Sequence, residues 1–198
     1  MSTIGFLDVP EPDDVAQRVF DDDLADVGYV MNLSRLWAYQ PTTMNGLFDL
    51  LGETVSAHGL TLRQRGIIVS AFASAYGDSY CSLAWGSRLA KATDDRTAAG
   101  VLRGDDDGDL TDAERAMAGW VRKVARDANG TSAGDVQVLR DNGFSDSEIF
   151  GITVFVALRM AFSTVNDALG ARPDAELRAS APAAVLDAVT YGRPVAER

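Results

Sequence analysis

The chain has one cysteine and one histidine, Cys81 and His58, among 198 residues. A single thiol cannot close an internal disulfide, and one thiol with one imidazole cannot build a Cys/His zinc site. Positive charge is also scarce: 18 Lys and Arg stand against 29 Asp and Glu, a formal net charge of -11. Such a surface repels phosphate backbones and anionic lipid, so neither nucleic acid nor a membrane is an expected partner. Lysine is nearly missing, with Lys91 and Lys123 its two occurrences, which carries no functional meaning. Long apolar runs are missing as well. Ile67 to Tyr76 and Ile149 to Val165 fall short of the roughly 18 residues that suggest a membrane span, and the second contains Arg159, so both read as buried helices. Met1 to Pro10 has neither a basic start nor an apolar h-region, and a cytoplasmic protein is expected. No stretch alternates polar and apolar with period two, which leaves an all-α fold.

Helix starts are well marked. Thr61 with Gln64, Thr111 with Glu114 and Ser145 with Glu148 each fit a capping box ahead of an apolar run, and Phe144 with Ile149 adds a hydrophobic staple to the last. Pro12-Asp13-Asp14 opens an earlier helix through Val15, Val19 and Phe20, expected to end near Asp21 to Asp23 before Gly28. Met31 to Tyr39 and Thr43 to His58 give two more patterns separated by Pro41, the second stopping at Gly59. A short helix is expected from Pro182 to Val189. The sum is about eight helices in one domain: halves at roughly 11–99 and 110–170, an acidic loop between them, and an arm over 171–198. The loop's Asp105 to Asp109 invites a calcium reading, but with Gly108 at the sixth position of a binding loop the first ligand would be Arg103, which cannot coordinate a cation. It reads as a solvated hinge, and no metal or cofactor is expected.

The stretch with chemical content is Gly77-Asp78-Ser79-Tyr80-Cys81-Ser82-Leu83-Ala84-Trp85, between two apolar helices. Asp78, three residues before Cys81, is placed to cap the second helix by accepting from the Cys81 amide. A thiol in a first helical turn gains about 0.3–1 kcal/mol of thiolate stabilisation from the dipole. A carboxylate roughly 5 Å away opposes it by about 3 kcal/mol at an effective dielectric near 20. The thiol is therefore expected at or above its free value of about 8.5.

The order of Thr61-Leu62-Arg63-Gln64-Arg65, an apolar helix, the Tyr80-Cys81 turn and a following helix resembles the carboxymuconolactone decarboxylase and alkylhydroperoxidase D-like superfamily, in its peroxidase-related branch. Leu110 to Arg115, Gly143 to Ile149 and Asn166-Asp167-Ala168-Leu169-Gly170 resemble that branch's C-terminal half, so the likeness spans about Val30 to Asp174. It implies an all-α alkylhydroperoxidase D-like bundle, a homo-oligomer, and an oxidoreductase acting on a small molecule. The family's thiol peroxidases carry a Glu, a Cys-x-x-Cys and a His; the corresponding places here hold Gly66, Asp78, Cys81 and Trp85. The cysteine that the resemblance implies attacks peroxide is kept. Its resolving thiol, relay carboxylate and histidine are replaced.

Trp85, four residues after Cys81, can donate one hydrogen bond and accept no proton. It either floors an apolar ligand pocket or fills the space of the absent histidine. Tyr80 is a candidate proton donor or a packing residue. Arg159, a charge in an apolar run, needs a partner such as a ligand anion or Asp78, unless it faces solvent or a neighbouring subunit. His58 is placed to cap carbonyls at a helix end. Three functions follow: one-cysteine hydroperoxide reduction at Cys81 with an external thiol; a retired member that binds a small apolar acid around Trp85, Tyr80 and Arg159 or serves as a scaffold; and, ranked last for want of a base, cofactor-free lactone decarboxylation or isomerisation.

Overall fold

Polar side chains that accept from the first free amides start most of the helices. Thr61, Thr111 and Ser145 form the expected capping boxes. Ser132 with Asp135 forms a fourth, in which aspartate does the work of the usual longer acid. The computed structural model describes residues 5–105 and 108–197; Met1 to Ile4, Asp106 and Asp107 of the acidic loop, and Arg198 lie outside them.

The helices are α1 Asp14–Asp26, α2 Asn32–Trp37, α3 Pro41–His58, α4 Leu62–Tyr76, α5 Ser79–Ala92, α6 Asp95–Arg103, α7 Asp112–Arg126, α8 Ala133–Asp141, α9 Asp146–Ala168, α10 Leu177–Ser180 and α11 Ala183–Ala188. No strand occurs among the described residues, and eight of these eleven helices have seven or more residues, so the fold is all-α.

Two helix boundaries differ from the sequence reading. The acidic run does not end α1, because Asp23 turns inward and accepts from the Met31 amide at 2.9 Å, tying α1 to the start of α2. Pro41 does not separate two segments but opens α3, where its missing N–H is one of the helix's unpaired amides anyway.

Helix α4 is the centre of the bundle. Ile67, Ile68, Val69, Ala71 and Phe72 are buried all round it, as a helix packed by α5, α6, α7 and α9 requires. Helix α9, apolar and long enough by composition to cross a bilayer, packs against α3, α4 and α7. Its Gly151 is demanded by this packing, since a Cβ there would stand 2.2 Å from the His58 ring. His58 is thus a packing partner of α9. After α11 the chain returns as an arm that crosses the N-terminal turn of α5.

Candidate active site

Gly77, at φ +87°, ends α4 in the left-handed conformation and turns the chain so that Asp78 can begin α5. The Asp78 carboxylate accepts from the Cys81 amide at 2.9 Å, the cap its spacing predicts. The arm closes over this turn. Tyr191 donates to Ser82 Oγ at 2.9 Å, and Ser79 donates to the Arg193 carbonyl at 2.7 Å. Gly192 lies so close that a Cβ would stand 2.6 Å from the Gly77 carbonyl oxygen. At φ +71° it also adopts a conformation that suits glycine.

Under this cover lies a polar cluster in an apolar interior. Cys81 is 4% exposed and Asp78 1%. From α9, Arg159 Nη2 donates to Cys81 Sγ at 3.2 Å, and Ser163 Oγ stands 3.6 Å from the same sulfur. Ser163 donates to Asp78 Oδ2 at 2.5 Å. The Arg159 guanidinium is bracketed by two rings, with Cζ 5.5 Å from the Trp85 centroid and 5.4 Å from that of Phe162. Its Nε is buried without a partner, and among the described residues no carboxylate oxygen lies within 4.0 Å of it. The cation on this helix is therefore held by a sulfur and two aromatic faces. Arg159 faces neither solvent nor Asp78 directly.

Burial is the main reason the Cys81 thiol is pushed up to about 12, and the Asp78 charge adds to it. Arg159 and the Ser163 hydroxyl pull the other way. A second carboxyl is displaced nearby. Burial, then repulsion from Asp78, lifts Asp167 to about 7 against the pull of Arg193. An acid whose folded pKa is raised binds more protons folded than unfolded, so its share of stability is present at low pH and lost as pH rises from about 4 to about 7. Replacing it by the neutral isostere D167N isolates this effect. The variant should match wild type near pH 4 and exceed it by about 1–2 kcal/mol at pH 8, once screening of a half-buried group is allowed for. Urea unfolding at both pH values checks it, and a difference independent of pH contradicts it.

The other sequence candidates are distributed as follows. Trp85 is half-buried, with Arg88 Cζ 5.0 Å and Arg159 Cζ 5.5 Å from its ring centroid, so it covers the arginine that touches the sulfur. Tyr80 is buried, and its hydroxyl donates to the Asp174 carboxylate, which also accepts from the Asn32 amide at 2.7 Å. That hydroxyl is committed to joining α5 to the loop before α10 and not to the thiol. Gly66 is not part of the cluster either: a Cβ there would come within 3.1 Å of Leu89, so α4 and α5 approach closely at that position. Ser163, Asp167, Tyr191 and Arg193 escaped the sequence reading. For Ser163 a signal exists, since it lies one helical turn after Arg159 and must share its face.

An all-α bundle with a cysteine in the first turn of a central helix places the chain among proteins with the alkylhydroperoxidase D-like fold, which it resembles over most of its length. Two solved structures of this kind are peroxidase-related proteins. One, from Ralstonia eutropha JMP134 and described as an alkylhydroperoxidase core, is 26% identical with a TM-score of 0.75, covering 89% of this chain and 96% of its own. The other, from Silicibacter sp. TM1040, is 22% identical with a TM-score of 0.78 over 89% and 95%. The debrominase Bmp8 shares the fold at 16% identity and a TM-score of 0.70, covering 89% of this chain and 92% of its own. A cysteine-to-alanine variant of that debrominase is known in complex with 2,3,4-tribromopyrrole. No family model and no curated protein matches the sequence.

Proposed function

We propose that the chain is a thiol-dependent oxidoreductase in which Cys81 reduces a small hydroperoxide in a one-cysteine cycle. The observation that supports this best is the Arg159 contact: a buried guanidinium with no carboxylate oxygen within 4.0 Å among the described residues, its Nη2 donating to one sulfur, is suited to be a counter-ion for a thiolate. In the cycle the thiolate attacks the outer peroxide oxygen and the O–O bond breaks. The alkoxide leaves as an alcohol after taking a proton, and the sulfur is oxidised to sulfenic acid. With no second cysteine in the chain, an external thiol then attacks the sulfenic acid, giving water and a mixed disulfide. A second external thiol releases Cys81, and the two thiols leave as a disulfide, having supplied the two electrons. Arg159 holds the anionic sulfur.

A second reading, a binding member without turnover that holds a small apolar acid beside Trp85 and Arg159, is favoured by the burial of Cys81 and its raised thiol. One experiment separates them. Under dilute hydroperoxide, mass spectrometry should find Cys81 sulfenylated faster than free cysteine, and C81S should abolish peroxide consumption coupled to an external thiol. Oxidation no faster than free cysteine, with thermal stabilisation by benzoate or a short fatty acid, leaves the binding reading in its place.

A further inference from the structure

We propose that Trp85 is the movable cover of the Cys81 site, and that the exposed Arg88 and the buried Arg159 around it admit a substrate that carries a carboxylate; this rests on the thiol chemistry read above and makes the hydroperoxide an acidic one. The first support is how the indole is held. Trp37 donates its N–H to Asn166 Oδ1 at 2.8 Å, and Trp120 donates to Thr153 Oγ1 at 3.1 Å. Among the described residues the Trp85 N–H has no such acceptor, so no hydrogen bond fixes its side chain in place. Its ring is half-buried while Cys81 and Arg159 are each 4% exposed.

The second support is charge. Arg88 Cζ and Arg159 Cζ lie 5.0 Å and 5.5 Å from the same ring centroid, and among the described residues neither guanidinium has a carboxylate oxygen within 4.0 Å. In a chain with 29 acidic and 18 basic side chains, two arginines left without an acid around one ring make a local positive field on a negative protein. The third support is an unmet donor. Arg159 gives Nη2 to the sulfur, but its Nε is buried without a partner. Leaving a buried N–H of a cation unpaired is costly, and a carboxylate oxygen arriving beside the ring supplies the acceptor.

The register of α5 sets the path. Cys81, Trp85 and Arg88 are four and three residues apart, so one helix face leads from the buried sulfur through the indole to the exposed guanidinium. Arg88 meets the carboxylate first and gives up its contact with the ring, the indole turns aside, and the space it leaves takes the substrate. The acid end then lies between the two arginines with the peroxide end toward Cys81. No covalent bond changes in this step, and the redox cycle is as written above.

The test uses two alkylating agents of nearly equal size, iodoacetate and iodoacetamide, at about pH 8.5, where a free thiol is half ionised. With either one the Cys81 thiolate displaces iodide and gains an S–C bond, so the two differ in charge, and mass spectrometry follows both. The ratio of the iodoacetate rate to the iodoacetamide rate should exceed that of free cysteine by about threefold or more, although the chain carries a net charge of -11. The excess should shrink in about 0.3 M salt. R88Q should lower the iodoacetate rate about threefold and leave the iodoacetamide rate within about 1.5-fold. W85A should raise the iodoacetamide rate by about tenfold, and W85F, which keeps an aromatic ring and so protects the fold, by less. A ratio no higher than that of free cysteine, an R88Q effect equal on both reagents, or a W85F rate no faster than wild type each overturns the proposal. An anion preference in a chain that consumes no hydroperoxide would retain the gate and reject the function proposed above. Hydroperoxide consumption with no charge preference and no effect of W85F would do the reverse.

Discussion

Truncating Phe162 to alanine lowers the unfolding free energy by about 3–5 kcal/mol. The ring is 2% exposed and holds three partners at once. Trp37 stacks on it at 5.5 Å between centroids with 10° between planes, Phe48 meets it edge-on at 5.2 Å, and the Arg159 guanidinium lies across it. Alanine leaves a cavity whose walls come from α2, α3 and α9, so no single helix can move to fill it. F162L keeps most of the volume and forfeits the ring contacts, for about 1–1.5 kcal/mol. Urea titrations of the two variants measure both numbers. An F162A cost under about 1.5 kcal/mol would mean that this part of the interior is loosely packed.

The second large effect is two-sided. Asp78→Ala should cost about 2–4 kcal/mol, of which about 1 is the lost helix cap on the Cys81 amide and the rest the buried Ser163 hydroxyl left without its acceptor. The same change removes the negative charge that repels the thiolate, so ultraviolet titration of the single thiol should show it ionising at lower pH than in wild type. Loss of stability with an unchanged thiol would mean that Asp78 acts on Cys81 only through the backbone amide. D78N, which keeps an acceptor at the cap, should be the milder of the two in unfolding.

These residues also show what could be read from the chain alone. Thr61, Thr111, Ser145 and Asp78 announce helix starts because a cap is settled within four residues of itself. Asp135 is harder to read as a box partner because the pattern favours the longer acids, and Asp23, an acid that accepts from a neighbouring segment, looks in sequence like a helix end. Arg159 stood out as a charge in an apolar run, but its partner sulfur is 78 positions away and nothing local points to it. Ser163, one turn after Arg159, must share its face, but its bond to Asp78 shows only when α5 and α9 are packed together. Tyr80, beside Cys81, reads in sequence as a proton donor or a packing residue; adjacent residues on a helix point apart, and its hydroxyl reaches Asp174, 94 positions on.

The crossing of α5 by Tyr191, Gly192 and Arg193 fixes the order in which this protein becomes complete. Synthesis runs from the amino end, and these residues emerge after all eleven helices have left the ribosome, at about 5–20 residues per second. The bundle can pack before they arrive, while the turn that carries the sulfur cannot be roofed until they do. Nascent molecules stalled in that interval would hold a packed bundle with the Cys81 turn still uncovered.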